Sequence, residues 1–159
     1  MTTKLDDIDR QIVEHLTRDG RMPCADMARA IGGVTERMVR YRLERLIARG
    51  IIAVSAIVDP KAIGYPVIAD VFIEVEPGQV IGLAEQLAAY DTITYVACST
   101  GRRDISIQLV ARDNRELYDF VIETIGRLPG VRRTTTSLVP LIIKDDARWR
   151  IPDAVFKSP

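Results

Sequence analysis

Residues 35–52 read TERMVRYRLERLIARGII, and this pattern predicts a helix with two dissimilar faces. Val39, Leu43, Leu46 and Ile47 recur at helical spacing and form one apolar stripe. The other face is rich in arginine: Arg37, Arg40, Arg42, Arg45 and Arg49. A helix that is packed on one side and cationic on the other suits the DNA major groove, which is about 12 Å wide and is read most often by arginine. An ordinary helix with a solvated charged face is the alternative, so the flanking sequence must decide.

The composition indicates a folded protein with one localised basic segment. The chain has 159 residues, of which 47% are hydrophobic, enough for two small domains or one large domain. Its formal net charge is zero, yet residues 35–50 contain five arginines and two glutamates, a net charge of +3. DNA binding through a local footprint is therefore favoured over a general basic coat.

The same sequence disfavours a membrane or secreted protein. No apolar run approaches the roughly 18 residues of a membrane span, and the first residues, MTTKLDDIDR, lack the apolar core of a secretion signal. Cys24 and Cys98 are too few and too far apart for a disulfide framework or a zinc site. We therefore expect a cytoplasmic, nucleoid-associated protein that has no metal or other cofactor and no membrane partner.

Three predicted helices occupy residues 1–51. Asp6 is expected to cap the first helix, and the segment Asp19-Gly20-Arg21 to end it with Gly20 in the left-handed conformation. A short helix over residues 24–31 ends at Gly32-Gly33, and Thr35 is expected to cap the third helix. A short helix, a glycine turn and a longer arginine-bearing helix form the helix-turn-helix arrangement.

The remainder predicts an α+β fold with a second domain. Residues 52–58 alternate like a strand and, with the turn-rich segment up to residue 66, form a linker. Residues 67–144 read as strands at 67–75, 93–99, 104–111 and 131–141, with helices at 80–89 and from a capping box at Asp113 and Glu116 onward. The order βαββαβ is ferredoxin-like. Residues 145–159 are left as a polar tail.

This plan resembles the Lrp/AsnC family, the feast-or-famine regulators of bacteria and archaea. The similarity spans about residues 5–144, and two departures from it are the extra residue at Gly32-Gly33 and Pro23 in place of the usual serine. Five segments carry the similarity, in the family's order. The first three are residues 5–10, residues 19–21, and the recognition helix with its following strand, where the matching residues are Thr35, Val39, Arg42, Leu43, Leu46, Gly50 and Ile52. The last two are the turn at residues 100–104 and the last strand, where the matching residues are Gly130, Val131, Thr134, Thr136 and Ser137.

Helix-turn-helix proteins read base edges with the outward, N-terminal side of the third helix. Arg37 and Arg40 are predicted to contact guanine, whereas Arg45 either contacts phosphate or only solubilises the helix. Arg42 stands at a near-constant family position and either pairs with a first-helix aspartate such as Asp9 or touches DNA. The residues predicted to bind double-stranded DNA are Thr35, Glu36, Arg37, Arg40, Tyr41 and Arg45.

The resemblance also implies a small effector, in most cases an amino acid, bound by the second domain. The predicted effector-binding residues are Gly101, Arg103, Asp104, Thr134 and Thr136. A glycine turn with a capping aspartate and surface threonines is the alternative, and an arginine at position 103, where the family often has an aromatic residue, leaves the ligand class open. One small DNA-binding module buries only about 600–1,000 Å² of surface, which is too little for selective binding. We therefore expect a homodimer, and the resemblance implies that dimers assemble to an octamer.

An enzyme is the main alternative class, because sirohaem decarboxylases resemble the same two-domain plan. His15, the only histidine, lies in the first helix and is expected to pack there, so the second domain lacks a histidine for acid–base work or haem ligation. No Cys-His pair, nucleophile elbow or Walker loop appears. We therefore predict a DNA-binding regulator that is not an enzyme. A DNA-compacting architectural protein is the third possibility.

Overall fold

The chain folds into two compact units, and residues 58–142 form the second. A computed structural model describes residues 5–144 together with Pro152 and Val155, so the predicted tail lies almost wholly outside the described residues. The first unit contains three helices: α1 (Asp7–Arg18), α2 (Cys24–Ile31) and α3 (Glu36–Ala48).

The predicted caps of α1 and α3 are confirmed. The Asp6 carboxylate accepts from the backbone N–H of Asp9 at 2.9 Å, and the hydroxyl oxygen of Thr35 accepts from that of Met38 at 3.2 Å. The left-handed conformation predicted for Gly20 is wrong, since Asp19, directly after α1, has φ of −142° and Gly20 has no positive φ. The Asp19 carboxylate instead accepts from the N–H of Arg21 at 2.9 Å, which turns the chain without a left-handed residue.

The three helices enclose one small apolar core. Ile12, Met27, Val39 and Leu46 are each at most 1% exposed, so one residue or more from every helix is fully buried. The predicted stripe of α3 does not extend to Ile47, which is 45% exposed. Eight residues separate Ile47 from Val39, and at 3.6 residues per turn this rotates it about 80° away from the core direction.

The second unit is a four-stranded antiparallel sheet with helices, and its βαββαβ order is as predicted. The elements are β1 (Val67–Val75), α4 (Val80–Ala88), β2 (Ile93–Cys98), β3 (Ile105–Ala111), α5 (Asn114–Asp119) and β4 (Val131–Leu138). The strand order in the sheet is β2-β3-β1-β4. After α5 the helix continues as a wider π-helical stretch, Phe120–Thr124, and a 3-10 turn, Ile125–Arg127.

The two faces of this sheet differ in their packing. Val71 and Ile73 of β1 belong to the core that includes Leu83 and Leu87 of α4, so their face is the helix-covered face. Phe72 alternates with them and points to the opposite, open face. Residues directly opposite each other on neighbouring strands share a face of the sheet. The strand register therefore shows on which face each residue of the other strands lies.

Two predicted details are wrong. Residues 52–58 form no strand, because no described strand lies beside them to pair with; residues 53–58 are all exposed. Glu116 does not complete a capping box. Although its N–H donates to Asp113 at 2.8 Å, its carboxylate accepts from the N–H of Arg112 at 2.6 Å and also bonds the Arg112 guanidinium.

Candidate nucleic-acid interface and ligand site

Helix α3 is anchored to α1 by a buried carboxylate. Asp9 is only 1% exposed, and its two oxygens lie 3.0 Å from Arg42 Nη1 and 3.1 Å from Arg45 Nη2. Arg42 Nη1 is also 2.5 Å from Asp6 Oδ2. A buried carboxylate costs several kcal/mol unless it is paired, so the two arginines are required where they lie. Of the two roles predicted for Arg42, the ion pair with Asp9 is the one formed within the chain.

This network changes the interpretation of the arginine face. The sequence pattern assigns five arginines to the outward side of α3, but Arg42 and Arg45 turn toward α1. The two roles left open for Arg45, phosphate contact and solubilising charge, did not include its ion pair with Asp9. The cationic face is therefore narrower than the sequence alone predicts.

The solvent side of α3 carries the other predicted reading residues. Arg37 is exposed and has no hydrogen bond or ion pair with any described residue. Arg40 Nη2 lies 2.6 Å from Glu36 Oε1, and this hydrogen bond raises the pKa of Arg40. Tyr41 is 63% exposed. Helical spacing brings 36, 37, 40 and 41 onto one side of the first two turns, so they form a continuous polar surface beside the capping hydroxyl of Thr35.

The β2–β3 turn of the second unit is fixed by its aspartate. Asp104 Oδ2 accepts from the N–H of Val75 at 2.8 Å, and the Asp104 N–H donates to the carbonyl of Ile73 at 3.0 Å. Gly101 has φ of +137°, and a Cβ built there would meet nothing within 4 Å. One carboxylate oxygen of Asp104 thus caps the turn, which is the role that the sequence analysis gave as the alternative to ligand binding. The backbone at Gly101, in the same turn, is open to approach.

The remaining predicted effector residues lie on opposite faces of the sheet. The guanidinium carbon of Arg103 is 4.1 Å from the centroid of the Phe72 ring, which points to the open face. Thr134 is opposite Ile73 and Thr136 is opposite Val71, so both threonines belong to the helix-covered face. A single chain therefore does not bring Arg103 and the two threonines onto one surface.

A cavity in this unit lies elsewhere. It has a volume of about 240 Å³ and includes Tyr90, Leu109 and Phe120 in its lining, at the end of β3 far from the β2–β3 turn. None of the five predicted effector residues lines it. Within the described part of the chain, no group of three or more His, Cys, Asp or Glu side chains could hold a metal ion. No described helix is long and apolar enough to cross a membrane.

Comparison with known protein families matches both units in order. Residues 5–47 match the AsnC-type helix-turn-helix domain, and residues 68–149 match the Lrp/AsnC ligand binding domain. The chain belongs to the Lrp/AsnC family. It is therefore a DNA-binding transcriptional regulator with a ligand-binding domain, as the resemblance of its motifs predicted.

Lrp/AsnC relatives agree with this along nearly the whole chain. The HTH-type transcriptional regulator FL11 of Pyrococcus abyssi is 34% identical over 140 residues, which cover 87% of this chain and 91% of FL11. The structure of E. coli AsnC is similar with a TM-score of 0.81 at 26% identity, over 90% of this chain and 98% of that one. A Neisseria meningitidis transcriptional regulator, in complex with L-Met, shares the fold with a TM-score of 0.81 at 21% identity, over 89% of this chain and 93% of that one.

Two contacts of this Lrp/AsnC chain were missed by sequence reasoning. Asp9 was considered as a partner of Arg42 but not of Arg45, and Phe72 was not considered as a partner of Arg103. The ion pair of Asp9 with Arg45 could have been predicted from the sequence. Asp9 lies one helical turn before the buried Ile12, and Asp6 lies one turn before Asp9, so the acids on this side of α1 need basic partners. The contact of Arg103 with Phe72 could not have been predicted, since it depends on how a turn folds back over a strand.

Acid is expected to weaken the anchor at Asp6. Partial burial alone would raise the pKa of Asp6, but hydrogen bonds from the Arg42 guanidinium and the Asp9 N–H outweigh it and lower the pKa below 3.8. The stabilisation is therefore complete above the ordinary pKa and is lost as the pH falls through the lower, folded-state value.

Asp6→Asn keeps a capping oxygen and removes the charge. Its thermal unfolding should depend less on pH below about 4 than that of the wild type, by less than about 1 kcal/mol since Asp6 is half exposed. Identical pH profiles would contradict this.

Proposed function

We propose that this Lrp/AsnC regulator reads double-stranded DNA with the solvent side of α3, through Thr35, Glu36, Arg37, Arg40, Tyr41 and Arg45. The observation that carries the proposal is that two sides of α3 have different contacts. Asp9 fixes one side of α3 through buried ion pairs, while Arg37 on another side is exposed and has no partner among the described side chains. A rigid helix with a free guanidinium can enter the major groove and form a bidentate contact with guanine.

Each residue of this surface has a proposed contact that suits its position. Arg37 and Arg40 are assigned to base edges, and Tyr41 extends the same surface by one turn. Thr35 uses its oxygen for the cap but keeps a hydroxyl proton that can be donated to a phosphate. Arg45 is still 35% exposed while paired with Asp9, which leaves part of its guanidinium for a phosphate at the groove wall.

We further propose a homodimer, in which residues 52–58 pair with the same segment or another strand edge of a second copy. The segment has a strand-forming sequence but no strand partner in the described chain, and Val54, Ile57 and Val58 are 50%, 72% and 61% exposed. A strand-forming segment with unpaired backbone groups is a template for strand pairing. A dimer would place two α3 helices on half-sites one helical turn, or a multiple of it, apart. Assembly of dimers to an octamer is proposed from the family resemblance.

Ile57→Lys should weaken this dimer. A charge placed on an apolar pairing segment must be desolvated when the subunits meet, so we expect a shift from dimer toward monomer in size-exclusion chromatography with light scattering. Ile81→Lys is the matched control, since Ile81 on α4 is 63% exposed in the second unit and is not part of the segment. If both variants elute as the wild type does, residues 52–58 do not hold the subunits together.

The second unit is proposed to sense an amino acid through Gly101, Arg103, Asp104, Thr134 and Thr136. The family match describes a ligand-binding domain, and the open backbone at Gly101 allows close approach. Since Arg103 and the threonines lie on different faces of one sheet, a site that uses all five needs more than one subunit. We also propose that the protein acts in the cytoplasm, on the nucleoid, by binding and not by catalysis, in keeping with relatives that are named transcriptional regulators.

A genome-wide DNA-binding map tests this function most broadly. A local regulator should give sharp sites at a limited set of promoters, and the occupancy should change when candidate amino acids are added to the growth medium. Uniform coating of the chromosome would instead favour an architectural, DNA-compacting role. Sharp sites that never respond to any amino acid would leave the DNA-binding proposal standing and remove the effector proposal.

A further inference from the structure

Four arginines gather at one end of the sheet of the second unit. Arg102 and Arg103 lie in the β2–β3 turn, and Arg132 and Arg133 lie at the start of β4. Both segments flank the end of β1, because the N–H of Asp104 donates to the carbonyl of Ile73 and the first residue of β4, Val131, pairs with Val75. Two arginine-bearing segments almost 30 residues apart in sequence thus meet at the same end of the sheet.

These arginines differ from the others of the same unit. On and around α5, Arg112, Arg115 and Arg127 each form an ion pair with an acid four residues away. The four arginines at the sheet end are all exposed, and none forms an ion pair with any acid that the structure describes. Glu74 stands directly across from Arg133 yet makes no ion pair with it. Like charges held together without neutralisation destabilise the folded state and attract an anion.

Arg103 is held in a geometry suited to a carboxylate. Its guanidinium carbon lies 4.1 Å from the centroid of the Phe72 ring. Stacking of this kind uses the face of the guanidinium and leaves its in-plane N–H groups free for a bidentate anion. Arg133 is opposite Glu74, two residues from Phe72, so the register places a second arginine on the same open face. Asp104 has one carboxylate oxygen bonded to the Val75 N–H and a second that can accept from an ammonium group.

We propose that this sheet end binds an α-amino acid with an acidic side chain, and that Arg103 determines this specificity. The inference rests on the proposed effector-binding function and names the ligand class for it. Two carboxylates of the ligand match the two arginines of the open face, Arg103 and Arg133, and its ammonium group matches Asp104. An amino acid with a neutral side chain would leave one arginine without an anion, so it binds more weakly.

Calorimetric titration of the 159-residue chain tests this with matched ligand pairs. L-glutamate and L-aspartate are compared with L-glutamine and L-asparagine, which have nearly the same shape and lack one charge. The acidic member of at least one pair should bind ten times more tightly or better. Arg103→Gln should abolish that difference by weakening the binding of the acid. Arg115→Gln, which alters an exposed arginine of α5, should keep the wild-type preference.

Each other outcome identifies what has failed. If the amides bind as tightly as the acids, the ligand class is wrong although effector binding stands. If no amino acid binds while the protein still binds its DNA sites, the effector proposal fails and the DNA-binding proposal survives. If Arg103→Gln weakens DNA binding and not acid binding, the arginines contact phosphates. If it changes the oligomeric state in light scattering and leaves the preference for acids intact, Arg103 belongs to a subunit contact and does not determine specificity. Each of these four results overturns the assignment of Arg103.

Discussion

Asp9→Ala should lower the free energy of unfolding by about 3 kcal/mol, because it removes the acceptor of two arginines from the interface between α1 and α3. Asp9 is 1% exposed, and Arg42 and Arg45 have exposed fractions of 19% and 35%, so neither arginine can return fully to water. A unit of this size is stable by only about 3–8 kcal/mol. The substitution should therefore remove between about a third and all of the stability of the helical unit.

Asp7→Ala is the matched control on the same helix. Asp7 pairs with Arg10 at 2.8 Å, but its side chain is 67% exposed, and a surface pair of this kind contributes less than about 1 kcal/mol. Urea unfolding followed by far-ultraviolet circular dichroism measures both variants, at one protomer concentration because association adds to the apparent stability. If Asp9→Ala is no less stable than Asp7→Ala, the buried network does not anchor α3.

The double substitution of Arg37 and Arg40 by alanine should weaken binding to a specific DNA site by roughly 2–6 kcal/mol, since each arginine–guanine contact contributes about 1–3 kcal/mol of discrimination. Arg37→Ala alone should cost more than Arg40→Ala, because Arg40 must leave Glu36 before it reaches a base and Arg37 has no described partner to leave. Both side chains are exposed, so the unfolding free energy should stay within about 0.5 kcal/mol of the wild type.

Fluorescence anisotropy with labelled duplexes measures this effect at a fixed salt concentration. Arg115→Ala is the control, because its side chain is 90% exposed and lies on α5. A scrambled duplex separates loss of base reading from loss of general charge attraction, which is independent of sequence. Equal affinity of wild type and double variant for the specific site would remove α3 from the DNA interface.

Local patterns were enough to predict the elements of both units. The 3.6-residue spacing of apolar residues in α3, the capping residues Asp6 and Thr35, and the period-2 alternation of β1 are all encoded within a few neighbouring positions. These signals can be recognised without knowledge of tertiary contacts, which is why β1 was predicted with its observed bounds, Val67–Val75. The family assignment followed from the order of these elements and the motifs they carry.

Long-range contacts were the part that the sequence did not reveal. Asp9 and Arg45 are 36 positions apart, and only the packing of α1 on α3 brings them together. Residues 52–58 have strand-forming side chains, but a strand needs a neighbour, and the described chain provides none. The two-residue period of β4 predicted that Thr134 and Thr136 share a face, but the register against β1 determines which face.

Selection of DNA from a library of random duplexes tests the central claim most directly, that α3 is held by Asp9 so that Arg37 and its neighbours read base pairs. The wild-type protein should enrich a two-fold symmetric motif with half-sites one helical turn, or a multiple of it, apart, and the Arg37/Arg40 double variant should not enrich it. A wild type that enriches no sequence over the starting library, or a double variant that selects the same motif as strongly, would contradict the account.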